Sequence, residues 1–399
     1  MPPIPRLKPY AGPAILSYGF RPFFLFGALY SGLAVLTWMP VFLGDLQVAT
    51  AFAPLDWHIH EMIYGYIPAV VTGFLFTAIP NWTGRLPLQG GPLLVLLLVW
   101  IAGRVAVTTS AFIGWLPAAA IDVAFLLLVM AAAGREIVAG SNWRNLKVVL
   151  LVGLFACANI AFHLEAHFTG RAEYSTRLGL SVALMMIMLV GGRIVPSFTR
   201  NWLARENPGR LPAPFGRYDA LSVAGAAVAL IAWIVRPDAA PTGVLLVLAG
   251  ILQAVRLARW AGDRTAGERL VLVLHAGYLF VPLGFLLGGC AAFGEILPAA
   301  GIHAWGAGAV GLMTLAVMTR ASLGHTGSAL TATPATQAVY AAVFVAAAAR
   351  IAAALVPTLM LPLLSVAAVA WSLAFLGFVA SYGPALLRTR RPSLKESSC

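Results

Sequence analysis

The sequence predicts an all-α polytopic membrane protein of about twelve transmembrane helices. Three observations carry this. Of 399 residues, 60% are hydrophobic and only 10% are charged, whereas soluble domains carry about a quarter charged residues. Mean hydropathy is +0.88, more apolar than a water-facing surface tolerates. The apolar runs are long and continuous, unlike the short alternating segments of a transmembrane barrel. A soluble enzyme, a disordered chain and a coiled coil are excluded together.

Twelve runs reach the roughly 20 residues that a bilayer core requires. They cover 20–44, 58–80, 92–112, 115–138, 146–168, 176–199, 219–236, 241–260, 269–291, 298–319, 334–356 and 360–387. Gly114 and Pro117 alone separate the third from the fourth. The longest connection, 200–218, is rich in Pro, Gly and Arg and reads as a surface loop. No soluble domain fits between spans, so residues 1–399 form a single integral membrane domain with short tails at 1–19 and 388–399. The first 19 residues hold five prolines and two cations, Arg6 and Lys8, but no apolar stretch. No cleavable signal peptide is expected there.

Net charge is +12, from 26 Lys and Arg against 14 Asp and Glu. Such a balance can signal nucleic acid, but here the cations sort by side. With a cytoplasmic N-terminus, 19 fall on the cytoplasmic side, Arg390, Arg391 and Lys395 among them. Three (Arg171, Arg177 and Arg236) fall on the other side, and four (Arg21, Arg104, Arg193 and Arg350) lie within spans. This asymmetry predicts two cytoplasmic termini and an even number of spans. The expected partner is the lipid bilayer, not nucleic acid. Cys157, Cys290 and Cys399 share no CxxC spacing, so no disulfide framework is implied.

A weak internal repeat runs through the chain. A shift of 243 residues aligns His60 with His303, Gly65 with Gly308, Thr83 with Thr326 and Gly84 with Gly327. A shift of 116 places Pro196 on Pro80 and Thr199 on Thr83. The second, sixth and tenth spans become equivalent, giving candidate four-helix units at 20–140, 146–262 and 268–387.

Seven histidines carry most of the chemistry. In this topology His58 and His60 open the second span at the outer face, His163 and His167 close the fifth, and His303 opens the tenth. Five imidazoles on three helices thus share one membrane level. Imidazole is the common neutral ligand of haem iron and copper, and a polar group in lipid needs a partner. The candidate cofactor-binding set is therefore His58, His60, His163, His167 and His303, with His60, His163, His167 and His303 as candidate metal ligands. The bland alternative is hydrated interfacial histidine.

Spacing refines the set. His163 and His167 stand at i, i+4, on one helix face. The HLEAH sequence they bracket lacks the zincin pattern. His58 and His60 at i, i+2 diverge by about 200° on a helix, so they share a site only if the span begins between them. Asp56 is placed to cap that start. Glu61 is a secondary candidate, positioned to orient a ligand or carry protons. Arg193, His275 near the cytoplasmic end of the ninth span and His325 in the following cytoplasmic loop complete the secondary candidates. Arg21, Arg104 and Asp122 are further intramembrane charges, each costing roughly 2.5–3.5 kcal/mol on insertion scales if unpaired. An Arg can meet haem propionates or protein carboxylates, or snorkel; carboxylates or snorkelling suit Arg21. Met185, Met186 and Met188 can ligate metal, but in an apolar run they read as packing. No phosphate loop or Ser-His-Asp order is present, so no catalytic residue is assigned.

Several stretches resemble the NnrS family across nearly the full length: LSYGFRPFFLFG (16–27), DWHIHEMIYGY (56–66), GFLFTAIPNWTGR (73–85), GGRIVPSFTRNWL (191–203) and HAWGAGAVGLMTLAVMTRASLGHTG (303–327). The resemblance implies a bacterial inner-membrane protein associated with haem, of b-type, and copper, linked to denitrification, nitric oxide and relief of nitrosative stress. It implies the cofactors but no reaction; an enzyme of this kind would be a membrane oxidoreductase acting on nitrogen oxides, with an unknown electron donor. Four-helix units with level histidines also resemble haem–copper oxidase subunits in fold only, and the adjacent histidine pair those oxidases use for copper is absent. Two other functions compete: a twelve-span transporter, and a passive metal or haem carrier without turnover.

Overall fold

The computed structural model describes residues 10–389 and is 82% helical, with no strand among them. Arg6, Lys8, Arg390, Arg391, Lys395 and Cys399, used above, lie outside the described residues. Twelve helices are long and apolar enough to cross a membrane: Phe20–Leu43, Pro54–Thr83, Gly91–Thr108, Trp115–Ala139, Trp143–Thr169, Tyr174–Glu206, Arg217–Val235, Ala240–Arg264, Arg269–Ala292, Ala299–Thr326, Pro334–Leu355 and Pro357–Leu387. Each overlies one predicted run.

Four boundaries depart from the sequence reading. The tenth span runs on to Thr326, so His325 stands in its last helical turn and not in the loop after it. The third span stops at Thr108, because the Thr109 and Ser110 hydroxyls bond back to Val105 O and Val107 O, both at 2.8 Å. These side-chain bonds compete with further helix. A four-residue helix, Ser110–Ile113, follows and ends at Gly114 with φ 87°, in the left-handed region. The sixth span continues to Glu206, so the first seven residues of the predicted loop are helical. Its segment RNWLARE is made of helix formers with Leu203 fully buried, and Pro208 and Gly209 stop it. The second span begins at Pro54 with Ala53 at its cap and no side-chain cap bond. Asp56 is therefore not the cap. It lies in the first turn and is buried, and both His58 and His60 fall inside the helix on different faces.

The chain forms two compact units by contact. Among the described residues, the first takes 10–179, Met318–Ala329 and 378–389; the second takes Leu180–Val317 and Leu330–Gly377. In the first, Arg21 is buried and its Nη1 donates to the carbonyls of Ala385, Leu386 and Arg388 at 3.3, 2.8 and 2.7 Å. A guanidinium there satisfies the orphan carbonyls of the last helix. In the second, Arg256 pairs with Asp219 at 3.1 Å and donates to Tyr278 Oη and Met188 O at 2.9 and 3.1 Å. The hydroxyl of Tyr278 passes on to Gln253 Oε1 at 2.7 Å. That network is buried and contains no histidine. Met186 and Met188 are buried too, as the packing reading expects.

The second, sixth and tenth spans each contain a π-helical turn, at Glu61–Tyr66, Ile187–Gly191 and Ala304–Val310. A π turn widens the helix and takes carbonyls out of the regular ladder. Gly65 O accepts from Trp100 Nε1 at 2.9 Å, and Met188 O from Arg256 as above. The first and third π turns begin 243 residues apart, the same shift as the sequence repeat. Both spans also end alike: Thr83 and Thr326 bond back to carbonyls four residues earlier, and Gly84 and Gly327 follow at φ 74° and 79°.

Candidate metal centre

Five spans of the first unit send polar side chains to one buried cluster: Tyr30, then His60 and Glu61, Arg104, Asp122, and Asn159 with His163. Apart from Tyr30, none is more than 5% exposed. Asn159 and His163 are one turn apart on the fifth span, so they share a face. Glu61 follows His60 directly and opens the π turn, which is where the helix departs from the 100° step that would separate consecutive side chains.

The hydrogen bonds form a closed network. His60 faces oxygen on both sides: Nδ1 lies 3.1 Å from Glu61 Oε1, and Nε2 lies 3.0 Å from Asn159 Oδ1 and 3.2 Å from Asp122 Oδ2. His163 Nε2 is 3.1 Å from the same Asp122 oxygen. Asn159 Nδ2 donates to that oxygen at 2.8 Å. Arg104 ties the two carboxylates together, donating from Nη1 to Glu61 Oε2 at 2.6 Å and from Nη2 to Asp122 Oδ1. Tyr30 Oη donates to Glu61 Oε2. Two carboxylates against one guanidinium leave a formal charge of −1 before the imidazoles are counted. Buried charges persist only when paired and hydrogen-bonded, since desolvation costs several kcal/mol per ion.

Aromatic rings enclose the imidazoles. Phe52, in the segment before the second span, lies 5.2 Å from both His60 and His163. Phe162 and Tyr64 lie 5.2 and 5.5 Å from His60. The Phe52 segment is pinned by Ala51 N–H donating to Ser110 Oγ at 2.7 Å. Glu165, between His163 and His167, points away from the cluster and accepts from the backbone N–H of Glu173, Tyr174 and Ser175 at 2.8–2.9 Å and from the Ser175 hydroxyl at 2.5 Å. A carboxylate at the start of the sixth span suits the helix dipole and fixes the connection beside the site.

The donor chemistry fits a metal ion. His60, Asp122 and His163 each offer one ligand atom, and these atoms lie within 4.8 Å of one another. Two ligands bonded at about 2.0–2.2 Å to one ion sit roughly 3 Å apart, and the two imidazole-to-Asp122 separations are 3.2 and 3.1 Å. Two imidazoles and one carboxylate form a set that suits copper, zinc or non-haem iron. Glu61 behind His60 supplies the carboxylate–histidine arrangement that orients a metal-bound ring. The same surroundings do not fit a haem at His60, because both ring nitrogens face oxygens and the flanking space is filled by Phe52, Phe162 and Tyr64.

The other sequence-predicted residues are placed elsewhere. His58 stacks on Trp38 and His167 on Trp115, with ring centroids 4.5 and 4.1 Å apart. His303 belongs to the second unit, where its Nδ1 is 2.8 Å from Ala299 O. His325 contacts the rings of Tyr18 and Phe20. His275 Nε2 meets Thr199 Oγ1 at 2.8 Å, while its Nδ1 is buried without a hydrogen-bond partner. Arg193 is exposed. Arg104 and Asp122 were legible as costly charges, but their pairing with Glu61 was not. Tyr30 and Asn159 escaped notice altogether; Asn159 at i−4 of His163 was the available signal.

Fold and site together define a polytopic helical membrane protein built around a buried imidazole–carboxylate cluster. The pattern of the NnrS family, described as NnrS protein, matches residues 14–390, and the chain belongs to that family. No curated protein matches it.

Proposed function

We propose that this chain is a copper- and haem-binding inner-membrane protein acting in nitric oxide metabolism or the relief of nitrosative stress, with copper held by His60, His163 and Asp122. The observation that carries the reading is the single Asp122 oxygen facing both imidazole Nε2 atoms at 3.1–3.2 Å inside the bundle. A bound copper ion supplies one-electron redox chemistry and a coordination position for a small nitrogen oxide. Glu61 fixes the orientation of the His60 ring. Arg104 holds both carboxylates in place, so that neither is an unpaired charge when the cluster is loaded. Phe52 and Phe162 line the imidazoles with apolar surface that suits a small uncharged molecule such as nitric oxide.

His303 is the haem-ligand candidate. Its Nδ1–H donates to the Ala299 carbonyl one turn back, which fixes the tautomer with which Nε2 would hold a haem iron. A transporter would be expected to carry broken helices around its site; the spans that build this cluster are continuous, with one π turn. The test is an absorbance spectrum with metal analysis of the full chain purified in detergent. The reading expects haem bands and bound copper, with the haem lost in His303→Ala. A wild-type protein carrying neither would overturn it.

A further inference from the structure

Asp56 lies one helical turn before His60, on the same face of the second span. It is 6% exposed, and its Oδ2 has no hydrogen-bond partner. It accepts from the Ala172 backbone N–H, and the charged groups around it are Arg171, Glu165 and Glu173. Of these, Arg171 is exposed at the rim and Glu165 is already saturated by the four bonds described above. A buried polar atom left without a partner costs about 1–3 kcal/mol, and more when charged. The helix starts at Pro54 with no side-chain cap bond from Asp56, so Oδ2 is not used in capping. The neighbouring indole nitrogen, Trp57 Nε1, is also buried and unpartnered. A buried carboxylate oxygen without a hydrogen-bond partner thus sits one helical turn from His60, on the same helix face.

We propose that Asp56 is the cation-capture residue of the His60–Asp122–His163 centre: an incoming metal ion is held first at Asp56 Oδ2 and passes inward one helical turn to the imidazoles. The proposal rests on the metal-binding reading of that centre. A lone carboxylate oxygen holds a transition-metal ion weakly, whereas two imidazoles and a carboxylate hold it tightly, so transfer runs inward. Asp56 lies outside the group of ligand atoms that come within reach of one ion, so its role is in the rate of loading and not in the final coordination.

The experiment follows copper uptake by the metal-free full chain in detergent. Cu(II) is added, samples are desalted at timed intervals, and bound copper is counted per chain. Asp56→Asn is expected to load at least about tenfold more slowly than wild type, within the range by which local charge raises association rates, and to reach the same final copper content. Asp56→Glu, which keeps the carboxylate, is expected to retain the fast phase. Millimolar Ca(II), which prefers oxygen donors, is expected to slow wild-type loading without lowering its end point; this arm needs no variant. Loading of Asp56→Asn within twofold of wild type, or no effect of Ca(II), would refute the capture role. A lower final copper content in Asp56→Asn would make Asp56 a permanent ligand and equally overturn it. Wild-type protein that takes up no copper at all would instead remove the metal reading beneath it.

Discussion

His60 and His163, on the second and fifth spans, both direct Nε2 at one atom, Asp122 Oδ2, at 3.2 and 3.1 Å. Asp122 reaches them from the fourth span and is itself held by Arg104 from the third. One carboxylate therefore orders four helices around two imidazoles. Removing it in Asp122→Ala should leave Arg104 half-paired and the imidazoles without their shared acceptor. Breaking a buried pair from one side costs about 3–5 kcal/mol, so thermal unfolding in detergent should shift strongly downward. Asp122→Asn, which keeps the shape, should fold better yet bind no metal.

Arg104 should behave as the centre of one network. Arg104→Met strands Glu61 and Asp122 together and should cut the folded yield severely. Adding Glu61→Gln to Arg104→Met should recover part of the loss. A double-mutant cycle is expected to give a coupling of about 0.5–3 kcal/mol; strictly additive losses would show that the two residues act independently.

Gly65 is a steric test of the same network. A Cβ there would lie 2.5 Å from Arg104 Nη1 and 2.9 Å from Glu61 Oε2. Gly65→Ala should push the guanidinium off Glu61 and weaken metal retention, although no polar group is removed. Gly306→Ala, where a Cβ meets nothing within 4 Å, is the matched control and should be silent.

Much of this was legible from the sequence, and the part that was not has a physical cause. Span number follows from continuous apolar runs, because lipid forces every spanning backbone into a closed hydrogen-bonded form. His60, Glu61 and His163 stood out because ionisable groups are costly at that depth. Asp122 and Arg104 stood out for the same reason, but a cost does not name its partner, and pairing depends on helix rotation. The π turn that starts at Glu61 changes that rotation and leaves no compositional mark. Depth alone also could not separate His58 and His167, which stack on tryptophans, from His60 and His163, which face Asp122. The histidines that share a predicted level with His303 belong to the first unit, and His303 to the second.

Topology offers an independent check. The 19-to-three split of basic residues predicts that reporter fusions at Pro54 and Glu295 read out on the periplasmic side. A cytoplasmic signal at either position contradicts two cytoplasmic termini.

The most direct test of the central claim is copper content together with the copper X-ray absorption spectrum of purified wild type, His60→Gln, His163→Gln and His325→Gln, at equal amounts of folded protein. The account predicts one copper per chain in wild type with two imidazole nitrogens in its coordination shell, full retention in His325→Gln, and loss of copper in both His60→Gln and His163→Gln. Wild-type levels of copper, with an unchanged spectrum, in His60→Gln and His163→Gln would contradict it and leave the cluster as a hydrogen-bonded brace between helices.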